Sequence, residues 1–303
     1  MIVTRVTPSL IAQRTLRDIN AQLGRIAGLQ EQLSTGARVN RPSDDPIDAR
    51  RAINVRVLLQ KNEQFIANID DLQPQLADGE AALQGIVSIF QRALELTTQA
   101  ANGTNGQEQL DAIALEIDGL LESALTASNT RTNGRTIFSG TRTLEDAFTA
   151  TRVGGEITAV TYQGNDQVIS VDISDGAQVG ANIPGSVAFQ ETVDIFTVLI
   201  GIRDDMRAGN QANLSAVRID QISAAMDQSL GGLARIGAIS NRLDRTSNAL
   251  QDGNVQLKAL LSDKIDADFA DTVLNLNVAQ NAYEAALSAA GRILQTSLLD
   301  FIR

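Results

Sequence analysis

Hydrophobic positions along this chain follow a helical period at both ends and alternate only in the middle. From Ser9 to about Thr35, Leu16, Ile19, Leu23, Ile26, Gln30 and Leu33 recur at steps of three and four. That is the narrow apolar seam by which helices pair as a coiled coil. Gly24 and Gly28 lie inside it and weaken the helix by roughly 1 kcal/mol each relative to alanine, so this helix requires a partner. A second helix is expected from Pro46 to about Ala101, kinked at Pro74. "NGTNGQE" then reads as a sharp loop, and a third helix follows from Gln107 to Asn129. Near Arg135 the texture changes. "RTIFSG" looks extended, and Ile157–Tyr162 and Val168–Ile173 alternate as two strands, read as one hairpin around Gly164 and Asn165. Short extended pieces continue through "AQVGANIPGSVAF". The helical period returns near Glu191 and runs to about Lys264, with breaks expected near Gly209 and at Gly231–Gly232. In the last helix Phe269, Thr272, Leu276, Ala279, Tyr283, Ala286, Ala290 and Ile293 repeat the three–four spacing.

These patterns predict a mainly α protein: a long antiparallel helical bundle or coiled coil built from both chain ends, carrying a small β-rich insert. Three parts are expected. Residues 1–40 and 265–303 form a terminal coiled coil, 41–134 and 191–264 a helical bundle, and 135–190 the β-rich insert. Alone, the terminal helices are expected to be poorly ordered.

The segment between the first two helices, "VNRPSDDPIDARRA", carries the densest local signal. Asp45 precedes a proline and is biased away from helical backbone. Pro46 suits the first helical position, where its missing N–H costs nothing. Asp45 is therefore the expected N-cap, with Asp48 favourably placed near the positive end of the helix dipole. Pro42 and Ser43 stiffen the approach. The assembly-type residues singled out here are Arg41, Pro42, Ser43, Asp44, Asp45 and Pro46, together with the seam positions Leu16, Ile19, Leu23, Ile26, Leu33, Phe269, Leu276, Tyr283 and Ile293.

Composition narrows the chemistry. The 303 residues include no Cys and no His, which removes thiolate chemistry, Ser–His and Cys–His pairs and the usual zinc sites. The aromatic complement, 8 Phe and 2 Tyr without Trp, favours helices packed side by side. The net charge of −11 is uneven: residues 1–60 carry nine Arg against five acids, the rest sixteen bases against thirty-one acids. The acidic bulk opposes nucleic acid as a partner. The acidic pairs Asp70–Asp71 and Asp204–Asp205 read as solvated helix surface, since neighbours on a helix do not share a face. "DISDGAQVGANI" lacks the closing Glu of a calcium loop and reads as a turn. Arg50 and Arg51 serve equally well as partner contacts or as mates of Asp48. No cofactor, metal or catalytic set is expected. The start of the chain lacks the pattern of a cleaved signal, and no run of 18 apolar residues offers a membrane span.

"LSTGARVNRPSDDPIDARRA", "NGRTIFSGTRTLEDAF" and the closing "NLNVAQNAYEAALSAAGRILQTSLLDFI" resemble, in order and at matching distances from both termini, segments of the bacterial flagellin family. The Pro-Ser-Asp-Asp-Pro form is more typical of the hook-associated branch that joins hook to filament than of filament-forming flagellins. The resemblance implies a structural, non-enzymatic subunit of the bacterial flagellum, with flagellin itself as the alternative. It implies export by the type III apparatus with an export chaperone, without a cleaved signal, and assembly outside the cell. Terminal helices would form an inner tube, middle helices a surrounding layer, and the insert would point outward. Partners implied are copies of itself, another hook-associated protein and flagellin, with no nucleic acid and no membrane.

Overall fold

The computed structural model describes the backbone from Pro8 to Phe301 and side chains from Leu10 to Gly291, Ala12 excepted. In chain order the elements are α1 (Pro8–Thr35), α2 (Pro46–Ala100), α3 (Gln107–Ser128), β1 (Arg131–Thr132), β2 (Arg135–Thr136), β3 (Phe148–Val153), β4 (Glu156–Tyr162), β5 (Ser170–Ser174), β6 (Ala177–Gly180), α4 (Gly185–Phe189), α5 (Ile195–Arg207) and α6 (Gln211–Asn213). A π-helical turn, Leu214–Arg218, leads into α7 (Ile219–Ile265), and α8 (Phe269–Phe301) closes the chain. The protein is mainly α, with long helices from both ends and a small strand-containing middle. The residues gather into two units, one formed by the chain up to Lys61 and from Gly253 onward, the other by Asn62–Asp252.

In the first unit α1 packs along α8. Backbone pairing at Ala37 and Asp266 brings the end of α1 to the start of α8, so the two helices run antiparallel. From Thr272 to Ala290 the α8 seam follows the expected positions: Thr272, Ala279 and Ala290 are buried and Leu276, Tyr283 and Ala286 half-buried. The small residues among them, Thr272, Ala279, Ala286 and Ala290, let the two backbones come close. On α1 the seam is rotated from the expected one. Thr15, Ile19, Gln22, Ile26, Leu29 and Leu33 are the less exposed positions, while Leu16 and Leu23 remain 58% and 50% exposed. Both stripes obey a three–four step, and the structure selects the one in which Thr15 and Gln22 replace the two leucines. Phe269, at the very start of α8, is also outside the seam, 68% exposed. The side chain of Ile293 lies outside the described residues.

In the second unit one apolar core joins the helices to the insert. Ile69, Leu83, Ile86 and Phe90 of α2, Ile117 and Leu121 of α3, Phe196, Leu199 and Ile202 of α5, and Ile222 and Leu243 of α7 are buried within it. Helix α2 is continuous through Pro74. α7 is likewise continuous through Gly231–Gly232, where a break was expected. A Cβ on Gly232 would lie 2.9 Å from Leu83 Cδ1, whereas one on Gly231 would meet open space. Gly232 thus serves close helix packing rather than helix termination. The expected break at Gly209 is present, with φ +66°. Asp194 caps α5, accepting from Phe196 N and Thr197 N at 2.9 and 3.2 Å. The acid pair of α5 is not merely solvated surface: Asp205 accepts from Arg218 Nε at 2.6 Å, and Asp204 accepts from Arg203 Nη2 at 2.8 Å.

The insert consists of three antiparallel hairpins, β1–β2, β3–β4 and β5–β6. Ile157–Tyr162 pairs backward with β3, not forward with the strand after Gly164–Asn165 as the alternation suggested. The turn of that hairpin is Gly154–Gly155, both at positive φ, the backbone that glycine adopts without steric cost. The β5–β6 turn at Asp175–Gly176 falls inside the stretch that brushed against a calcium-loop pattern. Gly185–Phe189, read as extended, is the short helix α4. Half of the aromatic residues collect here. Phe148 stacks on Tyr162, Phe189 and Phe196 at ring-centre distances of 5.1, 5.5 and 5.0 Å, and Phe138 meets Phe189 at 4.8 Å.

An arginine cluster seats the β3–β4 hairpin on α3 and α5. Buried Arg203 donates to the Ile157 carbonyl at 2.6 Å and to Asp118 at 3.0 Å. Arg207 donates to Asp118 at 2.7 Å and to Glu156 at 2.5 Å. Arg152 forks onto Glu122. The Arg207 guanidinium holds Glu156 below the usual carboxylate range, and Arg152 does the same to Glu122.

Candidate assembly site

The residues linking α1 to α2 form a closed joint with those linking α7 to α8. It begins where α1 stops. Gly36, at φ +70°, ends the helix and returns its N–H to the Gln32 carbonyl at 2.8 Å. The chain then lies against the end of α7. Arg38 N donates to Ile265 O at 2.7 Å, and Ala267 N donates to Gly36 O at 2.9 Å. Asp44 clips the turn, accepting from the N–H groups of Asn40 and Arg41 at 3.1 and 2.8 Å. Arg41 reaches back to Glu31 at 3.1 Å. Asp45 then caps α2: Oδ1 accepts from Ile47 N and Asp48 N, each at 3.0 Å. These bonds, that from Asp48 N first, lower the Asp45 pKa below its ordinary value. On the other side Asp268 caps α8 through Ala270 N and Asp271 N at 2.9 and 3.1 Å.

Arg38 ties the two sides together. Its Nη2 donates at 2.7 Å both to Asp48, in the first turn of α2, and to the carbonyl of Lys264, in the last turn of α7. A cation between the electropositive start of one helix, already neutralised by carboxylates, and the electronegative end of another satisfies both. Arg38 was not among the residues picked out in the sequence. Its mates lie 10 and 226 positions away, and only the first is within reach of local pattern. Of the residues picked out, Arg41, Asp44 and Asp45 make the joint's polar contacts, and Pro46 opens α2. Pro42 and Ser43 are exposed at the apex, where Pro42 borders a small cavity of about 90 Å³ shared with Val39, Ile53 and Ile265. Arg51 pairs with Asp48 at 3.3 Å. The seam residues Ile19, Ile26, Leu33, Leu276 and Tyr283 are half-buried between α1 and α8, while Leu16, Leu23 and Phe269 face outward.

Among the described residues no group of three or more acids gathers as a metal site, and no helix is long and apolar enough to cross a membrane. The arrangement fixes helix directions at a joint and leaves apolar side chains exposed beyond it.

Helices paired from both chain ends, a helical body and inserted hairpins define a mainly α protein with a small β-rich insert. The chain belongs to the bacterial flagellin family: residues 3–143 match the bacterial flagellin N-terminal helical region and residues 219–302 its C-terminal helical region. Each side of the joint falls in one of these matches. It is 24% identical to flagellar hook-associated protein 3 of Salmonella typhimurium over 93% of this chain and 94% of that protein. It is 27% identical to flagellin of Bacillus subtilis, over 97% and 98%. The crystal structure of Bacillus cereus FlgL superposes with a TM-score of 0.58 at 26% identity, covering 69% of this chain and 99% of that one. A putative flagellar hook-associated protein of Vibrio parahaemolyticus shares the fold, with a TM-score of 0.64 at 20% identity over 74% and 100%. The chain is thus a structural component of the flagellum; its relatives include a flagellar hook-associated protein 3, and its structural neighbours a flagellar junction protein.

Proposed function

We propose that this chain is the adaptor subunit that joins the hook to the flagellin filament, meeting another hook-associated protein on one side and flagellin on the other. The observation that carries this reading is the Arg41–Pro46 turn. Both of its aspartates are engaged, Asp44 by the turn's own N–H groups and Asp45 by the helix it starts, so the turn holds one geometry. A part set between a flexible hook and a stiffer filament gains from such pre-organisation. In this reading residues 1–40 and 265–303 line an inner tube, 41–134 and 191–264 form a surrounding layer, and 135–190 face outward. The turn residues Arg41–Pro46 and the seam residues, Leu16 and Leu23 included, contact neighbouring subunits. The subunit leaves the cell through the type III apparatus with a chaperone and no cleaved signal, and it carries out no catalysis.

Flagellin is the second reading, favoured by the similarity to the Bacillus subtilis protein along nearly the whole chain. Immunogold labelling of isolated flagella with an antibody to this chain separates the two. Label confined to the hook–filament boundary is expected, and label along the filament would overturn the adaptor reading in favour of the second.

A further inference from the structure

Asparagine is followed by glycine at three places in the chain, Asn102, Asn105 and Asn133. The first two lie in the loop between α2 and α3, the third in the turn between β1 and β2. Such a pair can lose ammonia without an enzyme. The glycine nitrogen, once it gives up its proton, attacks the side-chain Cγ of the asparagine and closes a five-membered succinimide. The bond from Cγ to the side-chain nitrogen breaks, and that nitrogen leaves as ammonia with the proton. Water then opens the ring at either carbonyl, giving aspartate or isoaspartate, and nothing is oxidised or reduced. The step needs a side chain free to turn and a following nitrogen uncrowded by a Cβ. It also needs the side chain and that nitrogen on the same side of the Cα–C bond.

The fold treats the three sites differently. Asn133 and Gly134 form a two-residue turn, at φ +51° and +78°, the type I′ geometry. Left-handed backbone sets ψ near about +50°, which puts the asparagine side chain and the next nitrogen on opposite sides. Asn105 is held by its own side chain. Its Nδ2 donates to the Gln99 carbonyl at 2.6 Å, tying the amide that would leave to the end of α2. Asn102 carries neither restraint. It is exposed, its φ is not positive, and among the described residues nothing hydrogen-bonds its side-chain amide or the Gly103 N–H. Its main chain is nevertheless anchored. The Asn102 carbonyl accepts from Asn105 N at 3.2 Å and from Gln211 Nε2 at 3.3 Å.

We propose that Asn102 is a site of spontaneous covalent modification, deamidated through Gly103 while Asn105 and Asn133 are protected by the fold. Each event replaces a neutral amide by a carboxylate. In the isoaspartate product the main chain runs through Cβ and Cγ, and the carbonyl that Gln211 and Asn105 N share becomes a free carboxylate. The reaction takes only water as co-reactant, so the mark accumulates with the age of the chain.

The test uses full-length protein aged in mildly alkaline buffer, which favours the deprotonated glycine nitrogen. Samples are digested, and each asparagine is followed by peptide mass spectrometry, with enzymatic methylation reporting isoaspartate. Asn102 is expected to convert several-fold faster than Asn105 and Asn133. In urea, where the turn and the Gln99 bond are gone, the three rates should converge. Equal rates in the folded protein, or Asn105 or Asn133 in the lead, overturn the inference. The same spread in urea as in the folded protein also overturns it, because the preference then belongs to the sequence and not to the loop. Gly103→Ala places a Cβ 4.0 Å from Gln211 Oε1, an ordinary contact that leaves the loop in place, and should slow Asn102 several-fold by crowding the attacking nitrogen. An unchanged rate in that variant refutes ring closure through Gly103.

Discussion

Replacing Arg38 by alanine isolates the joint from everything else in the molecule. The change removes two charge-assisted hydrogen bonds of 2.7 Å, one to Asp48 and one to the Lys264 carbonyl. Buried bonds of this type contribute about 1.5–3 kcal/mol each, but the Arg38 side chain is nearly half exposed, and an exposed ion pair contributes roughly 0.2–1 kcal/mol. Asp48 also keeps Arg51 at 3.3 Å and its place in the first turn of α2, so it is not left alone. The sum expected is about 1–2 kcal/mol, or roughly a tenfold change in the opening equilibrium at its centre. Opening exposes two amides that bridge the sides of the joint, at position 38 and at Ala267. Hydrogen exchange at both should accelerate about tenfold, while amides in the α3 and α5 core keep their protection. Arg38→Lys retains the charge but has no guanidinium fork to span both acceptors, and should fall between the two. If both amides in Arg38→Ala exchange within twofold of the parent rate, the joint is held by its backbone pairing and the role assigned to Arg38 is wrong.

Four further predictions follow from the same geometry. Asp45→Ala removes the α2 cap and should cost about 0.5–2 kcal/mol in urea denaturation of the monomer; Pro42→Ala should leave that midpoint unchanged yet release filaments from swimming cells under viscous load, and retention of filaments would refute the geometric role of the turn. Leu23→Asp alters a half-exposed flank, so circular dichroism and melting of the monomer should match the parent while incorporation into flagella is lost; normal flagella on cells carrying only this variant would sink the claim. Gly231→Ala should stabilise by about 1 kcal/mol, whereas Gly232→Val, pressed onto Leu83, should destabilise by about 1–3 kcal/mol; thermal melts giving both the same sign would contradict the packing role of Gly232. Glu122 and Glu156 have folded pKa values below the unfolded one, so their stabilisation is present above about pH 4.3 and is lost as pH falls through the folded values; urea midpoints should fall over that acid range in the parent and more shallowly in Glu122→Gln/Glu156→Gln, and parallel curves would show the ion pairs to be neutral.

Signals confined to a few neighbouring residues were legible in advance. Asp45 and Pro46 mark the start of α2 because a cap and a missing N–H act within one turn, and the α8 seam is readable from spacing between Thr272 and Ala290, though not at Phe269. The α1 seam was displaced because two three–four stripes coexist on that helix, and the choice of the one with Thr15 and Gln22 depends on the shape of α8. Strand pairing failed for a similar reason. Alternation identified Ile157–Tyr162 as a strand, but its mate was decided by the Gly154–Gly155 turn and by the aromatic cluster around Phe148, which gathers residues from four separated segments. Glycine was read as a breaker at Gly232, where the helix instead uses its lack of a side chain to approach Leu83. Arg38 went unnoticed because its second acceptor is a backbone carbonyl in a distant part of the chain.

The hydrogen bonds from Arg38 to Lys264 and Ile265 also close a loop of some 226 residues. Seen as a polymer problem, they act like a non-covalent staple between the two halves of the chain. The entropy lost on closing such a loop grows only with the logarithm of its length. Adding a second copy of the β-rich insert, on the order of 50 residues more, would raise that cost by about 0.2 kcal/mol. The joint is therefore nearly indifferent to how much chain it encloses, and the β-rich insert is free to lengthen, shorten or be exchanged without loosening it.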